Sequence, residues 1–140
     1  MLSVRVGGFP LFVLALCFGL SGCSATQRIY EGMERSATEV AIIEEQFEAG
    51  GWRKPEKHVQ FLEVDGVPVS TWKRAVEILP GTHIVKAYFS WSDSIATRYY
   101  PSQKLTIEVQ AGSRYKILGS PAGLWLEQAA GPQSAKNQNK

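Results

Sequence analysis

Two cysteines, Cys17 and Cys23, are the only thiols in the 140 residues, and they lie six positions apart. Paired cysteines can form a disulfide, bind a metal ion or carry out redox chemistry, and a lone thiol can act as a nucleophile. The surrounding residues decide between these. Residues 9–20, FPLFVLALCFGL, contain Cys17 and no charged side chain, whereas Cys23 follows the small residues Ser21 and Gly22. The two thiols therefore belong to different segments, and no pairing is indicated.

The apolar stretch is typical of a secretory leader. Its twelve residues would extend about 18 Å as a helix, short of the roughly 30 Å hydrocarbon core of a bilayer. Arg5 is the only charged side chain before it. A basic start, a short apolar run and a small-residue exit are the features of a signal peptide. We therefore predict a leader over residues 1–22, rather than a permanent transmembrane helix or a buried helix of the mature fold.

The end of this leader, LSGC at residues 20–23, resembles the lipobox of bacterial lipoprotein precursors, in which leucine, a small residue and glycine or alanine precede cysteine. The residues recognised by the signal peptidase would be Leu20, Ser21 and Gly22. The resemblance implies transfer of a diacylglyceryl group to the Cys23 thiol and cleavage before it. Cys17 would leave with the leader, so the mature domain would have neither a free thiol nor a disulfide.

This modification would place the mature protein on a membrane. Ser24, under the sorting rule of enteric bacteria, permits export to the outer membrane, where the domain would face the periplasm of a Gram-negative cell. We expect no cofactor other than the covalent lipid on Cys23. The net charge is only +2, without the dense basic patch that nucleic acid requires. The expected partners are therefore the membrane, through the lipid anchor, and an envelope protein or glycan, with no nucleic acid.

Turn signals divide the rest of the chain into short segments. Residues 23–37 are polar and predict a lipidated N-terminus with a flexible tether, and residues 129–140 predict a disordered tail. Residues 38–128 alternate apolar and polar side chains between turns, which predicts an all-β domain, a small antiparallel β-sandwich of about seven strands. The clearest alternation points three side chains inward: Leu105, Ile107 and Val109.

The segment TEVAIIEE, residues 38–45, admits two interpretations. Its β-branched residues favour a strand. A competing helix would carry on one face Ile29, Met33, Ala37, Val40 and Phe47. Gly32 weakens that helix, so we predict a strand.

A wider resemblance rests on five short motifs that cover most of the mature chain. They are Tyr30-Glu31-Gly32, Glu39-Val40-Ala41-Ile42-Ile43, Val64-Asp65-Gly66, Leu79-Pro80-Gly81-Thr82-His83-Ile84-Val85 and Ala111-Gly112-Ser113-Arg114-Tyr115. This pattern is similar to that of a group of small bacterial lipoproteins of β-sandwich type. The resemblance implies a sandwich, a lipid anchor and a strand at residues 38–45. It implies no particular activity, because a sandwich fold can host many functions.

Few residues are placed for catalysis. The two histidines, His58 and His83, do not stand at metal-ligand spacing, so we expect structural roles for them and no metal site. No nucleophile motif such as GxSxG is present. Glu44, Glu45 and Glu48 are candidates for the paired acids of an envelope hydrolase, although a solvated strand end explains them more simply. We therefore expect no catalytic residues and no enzyme.

The aromatic residues give the better indication of a site. The segment WSDSIATRYYP, residues 91–101, surrounds a polar loop with candidate binding residues: Trp91, Asp93, Arg98, Tyr99 and Tyr100. Flat rings beside hydrogen-bonding groups suit a partner peptide or a sugar face, although Trp91 and one tyrosine could also simply cap the core. We predict a non-enzymatic binding or scaffolding role. The alternative is a module that uses this loop to bind an envelope glycan, either peptidoglycan or lipopolysaccharide.

Overall fold

The computed structural model describes residues 26–129. The leader over residues 1–22, its recognition residues Leu20, Ser21 and Gly22, the lipid attachment at Cys23, and nearly all of the predicted tail lie outside the described residues. Within the described part there is no helix of the length and apolarity that crossing a bilayer requires. Every regular element in this part of the chain is a strand.

Eleven strands occur between residues 26 and 129. In chain order they are β1 (Thr26–Arg28), β2 (Ala41–Glu45), β3 (Phe47–Glu48), β4 (Glu56–Val64), β5 (Val67–Pro68), β6 (Ala75–Ile78), β7 (Gly81–Ser92), β8 (Thr97–Tyr99), β9 (Gln103–Val109), β10 (Arg114–Ser120) and β11 (Gly123–Gln128). Four of these, β1, β3, β5 and β8, have only two or three residues. The seven longer strands are those that the alternating sequence predicts, so the predicted all-β sandwich is confirmed.

The strands form two facing sheets. Sheet A has the order β1-β6-β2-β10-β11. Sheet B is built on β7, which pairs with β4 on one side and with β9 and β8 on the other, while β3 and β5 pair with β4. Sheet A is mixed rather than antiparallel, because β1 pairs with β6 and β2 pairs with β10 in parallel. Parallel neighbours are joined through long stretches of chain and not by hairpins, so local alternation cannot predict them.

The core lies between the sheets and follows the predicted alternation closely. On β9, Ile107 and Val109 are buried while their neighbours in sequence are exposed. The strand interpretation of residues 38–45 is confirmed for β2, whose Ala41 and Ile43 are fully buried, whereas the strand begins only at Ala41 because residues 37–39 form a turn. A helix on one face from Ile29 to Phe47 is therefore wrong.

The ordered fold begins before the predicted domain boundary at residue 38. Strand β1 adds to the free edge of β6, and the side-chain oxygen of Gln27 accepts the N–H of Ser70 at 2.8 Å. The Tyr30 hydroxyl donates to the Glu77 carboxylate. Residues 26–30 of the segment 23–37 predicted as a tether thus contact the sandwich, because an unpaired sheet edge offers backbone groups that a short strand can satisfy. Only two residues, Ser24 and Ala25, separate Cys23 from Thr26.

Candidate binding cleft

A cleft of about 270 Å³ opens between the two sheets near the ends of β7 and β10. This volume is slightly below the roughly 300 to 1,000 Å³ typical of small-molecule sites. Its walls include Phe89, Trp91, Tyr100 and Pro121, and its rim carries Lys57 and Arg98. The lining is mostly apolar, with two cations beside it.

Strand register brings three of the predicted site residues together. Trp91 on β7 pairs with Arg98 on β8, and the Arg98 guanidinium lies over the Trp91 ring, 5.2 Å from its centroid. The Tyr100 N–H donates to the Phe89 carbonyl at 2.9 Å, and the two rings pack with centroids 5.5 Å apart. Alternate residues of an extended chain share a face. Arg98 and Tyr100 therefore line the cleft together.

Tyr99 is not part of the cleft. It lies between Arg98 and Tyr100, so its side chain points to the opposite face of sheet B. There it is 71% exposed, and its ring contacts the Tyr88 ring at a centroid distance of 6.1 Å.

Asp93 stabilises a turn rather than lining the cleft. Its Oδ1 accepts the N–H groups of Ala96 at 2.9 Å and Ile95 at 2.8 Å. These hydrogen bonds lower the pKa of the Asp93 carboxyl. The residue thus fixes the 93–96 turn that joins β7 to β8.

Five lining residues of the cleft were missed in the sequence: Lys57, Phe89, Gly119, Ser120 and Pro121. Lys57 and Gly119 come from strands distant from the 91–101 loop. Lys57 on β4 is opposite Trp91 in the register, and its ammonium lies 3.9 Å from the Glu48 carboxylate. Gly119 on β10 is buried, and its N–H donates to the side-chain oxygen of Gln46 at 2.8 Å. A glycine inside an apolar strand often marks a close approach of another group. That signal was available for Gly119, whereas nothing local marked Lys57.

A second depression, of about 250 Å³, lies beside the cleft and shares Trp91 with it. Its other lining residues include Trp52, Arg53, Asp93 and Ser94. Trp52 is 94% exposed. An exposed flat ring next to carboxylate, hydroxyl and guanidinium groups has the chemistry that stacks on and hydrogen-bonds to a sugar ring.

The histidines connect structural elements. His83 Nδ1 lies 2.5 Å from Asp65 Oδ2, and His83 Nε2 lies 2.7 Å from the Leu79 carbonyl oxygen. Asp65 Oδ1 also accepts the Ile84 N–H at 2.8 Å. Burial raises the pKa of Asp65, but the hydrogen bonds from His83 and Ile84 outweigh it and hold the pKa below the ordinary value of 3.8. His83 therefore links the turn that follows β4 to the connection between β6 and β7.

The glutamates considered as paired acids have separate structural contacts. Glu45 is buried, and its Oε1 accepts the Phe61 N–H at 2.7 Å while its Oε2 lies 3.3 Å from His58 Nε2. Glu44 pairs with Arg114 at 2.8 Å on the outer face of sheet A. Between residues 26 and 129, no group of three or more histidine, cysteine or acidic side chains is arranged to bind a metal ion.

Comparisons with known proteins return no relative. No protein family, no curated protein and no solved structure matches this chain.

Proposed function

We propose that this chain is a lipid-anchored envelope protein whose β-sandwich binds a segment of another envelope protein in the cleft. The role is binding or scaffolding, without catalysis. The observation that carries the proposal is the aromatic cleft with Lys57 and Arg98 at its rim. The uncharged apolar run of residues 9–20 and the LSGC sequence at residues 20–23 support the proposed anchor, in which Cys23 would carry the lipid.

The cleft fits an apolar side chain that has an acidic neighbour. Its volume of about 270 Å³ accommodates one or two large side chains. Phe89 and Tyr100 provide apolar contact area, and the two cations can each form a charge-assisted hydrogen bond with a carboxylate. An aromatic or aliphatic side chain buried in such a pocket is the usual energetic centre of a protein interface.

The position of the cleft is compatible with anchoring. Strand β1, which follows Cys23, is one edge of sheet A, and β11 is the other. Four strand spacings separate these edges, about 19 Å at the usual 4.8 Å per spacing. The turn between β10 and β11 contributes Pro121 to the cleft. The register places the β10–β11 turn at the same end of sheet A as the start of β1, so the cleft and the anchor are separated across the sheet and not along the strands.

Neutralising Lys57 and Arg98 should weaken partner binding about tenfold. Loss of two interface charges is expected to reduce the free energy of binding by about 1.4 kcal/mol, which corresponds to a factor of ten in Kd. A photo-crosslinking amino acid at Pro121, which is exposed and lines the cleft, would capture the partner in living cells. The yield of crosslinked product should fall in the Lys57→Gln/Arg98→Gln variant, by up to about tenfold where the partner concentration lies below Kd.

Two controls make this test specific. A Lys104→Gln/Lys116→Gln variant removes the same charge from exposed positions elsewhere, and it should leave the yield unchanged. The crosslinker placed at the exposed Thr106 on β9 should capture no comparable product. An equal yield from both double variants would exclude the cleft as the binding site.

The second candidate function is glycan binding, and the exposed Trp52 beside Asp93 and Ser94 favours it. Titration with peptidoglycan fragments or lipopolysaccharide should then change the intrinsic tryptophan fluorescence. A Trp52→Ala variant should lose that change, because stacking on one aromatic ring contributes about 1 kcal/mol or more. Tyr99→Ala is the matched control, since Tyr99 lies on the other face. If the fluorescence of the unmodified protein does not change during the titration, glycan binding is excluded and binding of a protein partner remains the proposal.

A further inference from the structure

Trp72 is a large aromatic side chain that the fold leaves in solvent. It is 88% exposed and lies in a tight turn, in which the Lys73 N–H donates to the Ser70 carbonyl at 2.9 Å. Tryptophan contributes its apolar area only when something covers the ring, while its indole N–H prefers a polar boundary. A ring held outward on an ordered turn therefore suggests an external contact surface.

This turn lies beside the point where the N-terminal segment enters the domain. Strands β1 and β6 run in parallel, and their first residues, Thr26 and Ala75, are paired. Cys23 precedes Thr26 by three residues, and Trp72 precedes Ala75 by three residues. At no more than about 3.6 Å per residue, each Cα lies within about 11 Å of that pair. The N-terminal segment thus enters the domain at the same end of this strand pair as the exposed ring.

A side-chain clamp fixes the turn to β1. The Gln27 side chain accepts the N–H of Ser70 at 2.8 Å through its oxygen. The same amide donates to the Pro68 carbonyl at 2.9 Å through its nitrogen. The turn cannot move away from β1 without breaking both hydrogen bonds. Its geometry relative to the start of the described chain is therefore fixed.

The charge of the turn matches an anionic surface. Residues 66–76 contain Lys73 and Arg74 and no acidic side chain. Arg74 is exposed, with its guanidinium 4.0 Å from the centroid of the Phe47 ring. Basic residues near an anionic bilayer surface contribute about 1 kcal/mol each, and tryptophan is enriched at the lipid headgroup level.

We propose that the turn of residues 70–74, the Trp72 turn, docks on the bilayer in which the Cys23 lipid is anchored. Trp72 enters the headgroup region, and Lys73 and Arg74 face the lipid phosphates. The inference rests on the proposed lipid anchor, because a two-residue connection holds the turn at the membrane surface only if Cys23 is acylated. It also gives the domain a fixed orientation, with sheet edge β1 at the membrane and the cleft beside the opposite edge strand, β11.

Depth-dependent fluorescence quenching tests the docking. The mature lipidated protein is reconstituted into vesicles of phosphatidylethanolamine and phosphatidylglycerol at about three to one, with and without brominated acyl chains. Wild-type tryptophan emission should be quenched by the brominated lipid. Trp72→Phe should remove more than half of that quenching. Trp125→Phe is the control, because Trp125 is also exposed but lies on β11, the opposite edge strand of sheet A, and it should retain the quenching.

The mass of the reconstituted protein separates failure of the docking from failure of the anchor. Protein without a diacylglyceryl group on Cys23 would contradict the lipid anchor itself. Lipidated protein with equal quenching in wild type and Trp72→Phe would overturn the docking alone. The Trp72 ring would then contact water or a protein partner instead of the bilayer. Loss of quenching when phosphatidylglycerol is omitted would support the role of Lys73 and Arg74.

Discussion

Replacing Cys23 with alanine should abolish membrane retention and leave the precursor with residues 1–22 uncleaved. The thiol is the only group at that position that can form the thioether to the lipid, and cleavage of lipoprotein precursors depends on that lipid. The size of the loss follows from the transfer of acyl chains into the bilayer, about 0.8 kcal/mol per buried methylene. Two or three chains hold a protein durably, so their removal should shift essentially all of the protein out of the lipid-anchored state.

Cys17→Ala is the matched control for this prediction. It removes the other thiol of the chain from within the apolar run, so maturation and membrane retention should be normal. Fractionation of cells and the apparent mass of the protein would measure both variants. Globomycin, which inhibits the lipoprotein signal peptidase, should make the wild type accumulate as precursor. Normal processing of Cys23→Ala would contradict the lipid anchor.

With the proposed lipid on Cys23, the attachment point and the cleft would lie beside opposite edges of sheet A. Sheet A begins at β1, three residues after Cys23, and ends at β11, beside the cleft. A long tether would have left the orientation of the domain free. The pairing of β1 with β6 removes most of that freedom. In the proposed function the domain therefore presents its binding surface in a defined direction.

The sequence predicted the fold where the relevant physics is local. Alternation in β9 places Ile107 and Val109 in the core because successive side chains point to opposite faces of a strand. The same rule fails on β4, where the register shifts between Phe61 and Glu63, so Phe61 and Val64 are both buried despite an odd spacing. The bulge is stabilised by the buried carboxylate of Glu45, which accepts the Phe61 N–H. A contact between residues so far apart in sequence has no local signature.

The candidate site was predicted in the same partial way. Trp91, Arg98 and Tyr100 meet in the cleft, and the spacing of Arg98 and Tyr100 already implied a shared face. By that alternation Tyr99 had to lie on the other face. Lys57 reaches the cleft only through the pairing of β4 with β7, which is a matter of tertiary register. The sequence thus predicted the loop that contributes to the cleft, but not the residues from other strands that complete it.

Gly119→Ala is expected to destabilise the domain by about 2 kcal/mol, within the usual range for overpacking a core. An added Cβ would lie 2.8 Å from Phe89 Cδ2, 2.8 Å from Val59 Cγ2 and 2.9 Å from Leu124 Cδ2. Phe89 and Val59 are almost fully buried and cannot turn away without displacing other core side chains. Thermal unfolding should show a Tm lower by about 10 °C, since 1 kcal/mol shifts the Tm of a domain of this size by about 4–8 °C.

Gly51→Ala should stabilise the domain, whereas Gly119→Ala destabilises it, so Gly51→Ala is the matched control. A Cβ at Gly51 meets no atom within 4 Å, and its backbone does not have the positive φ that favours glycine. At Gly51 the substitution only reduces the conformational freedom of the unfolded chain. It should therefore stabilise the folded domain by about 0.4–1 kcal/mol. Equal Tm values for the two variants would mean that the sheets separate easily near Gly119. The cleft wall formed by Phe89 would then be adjustable, and a bound side chain could be larger than the cleft volume indicates.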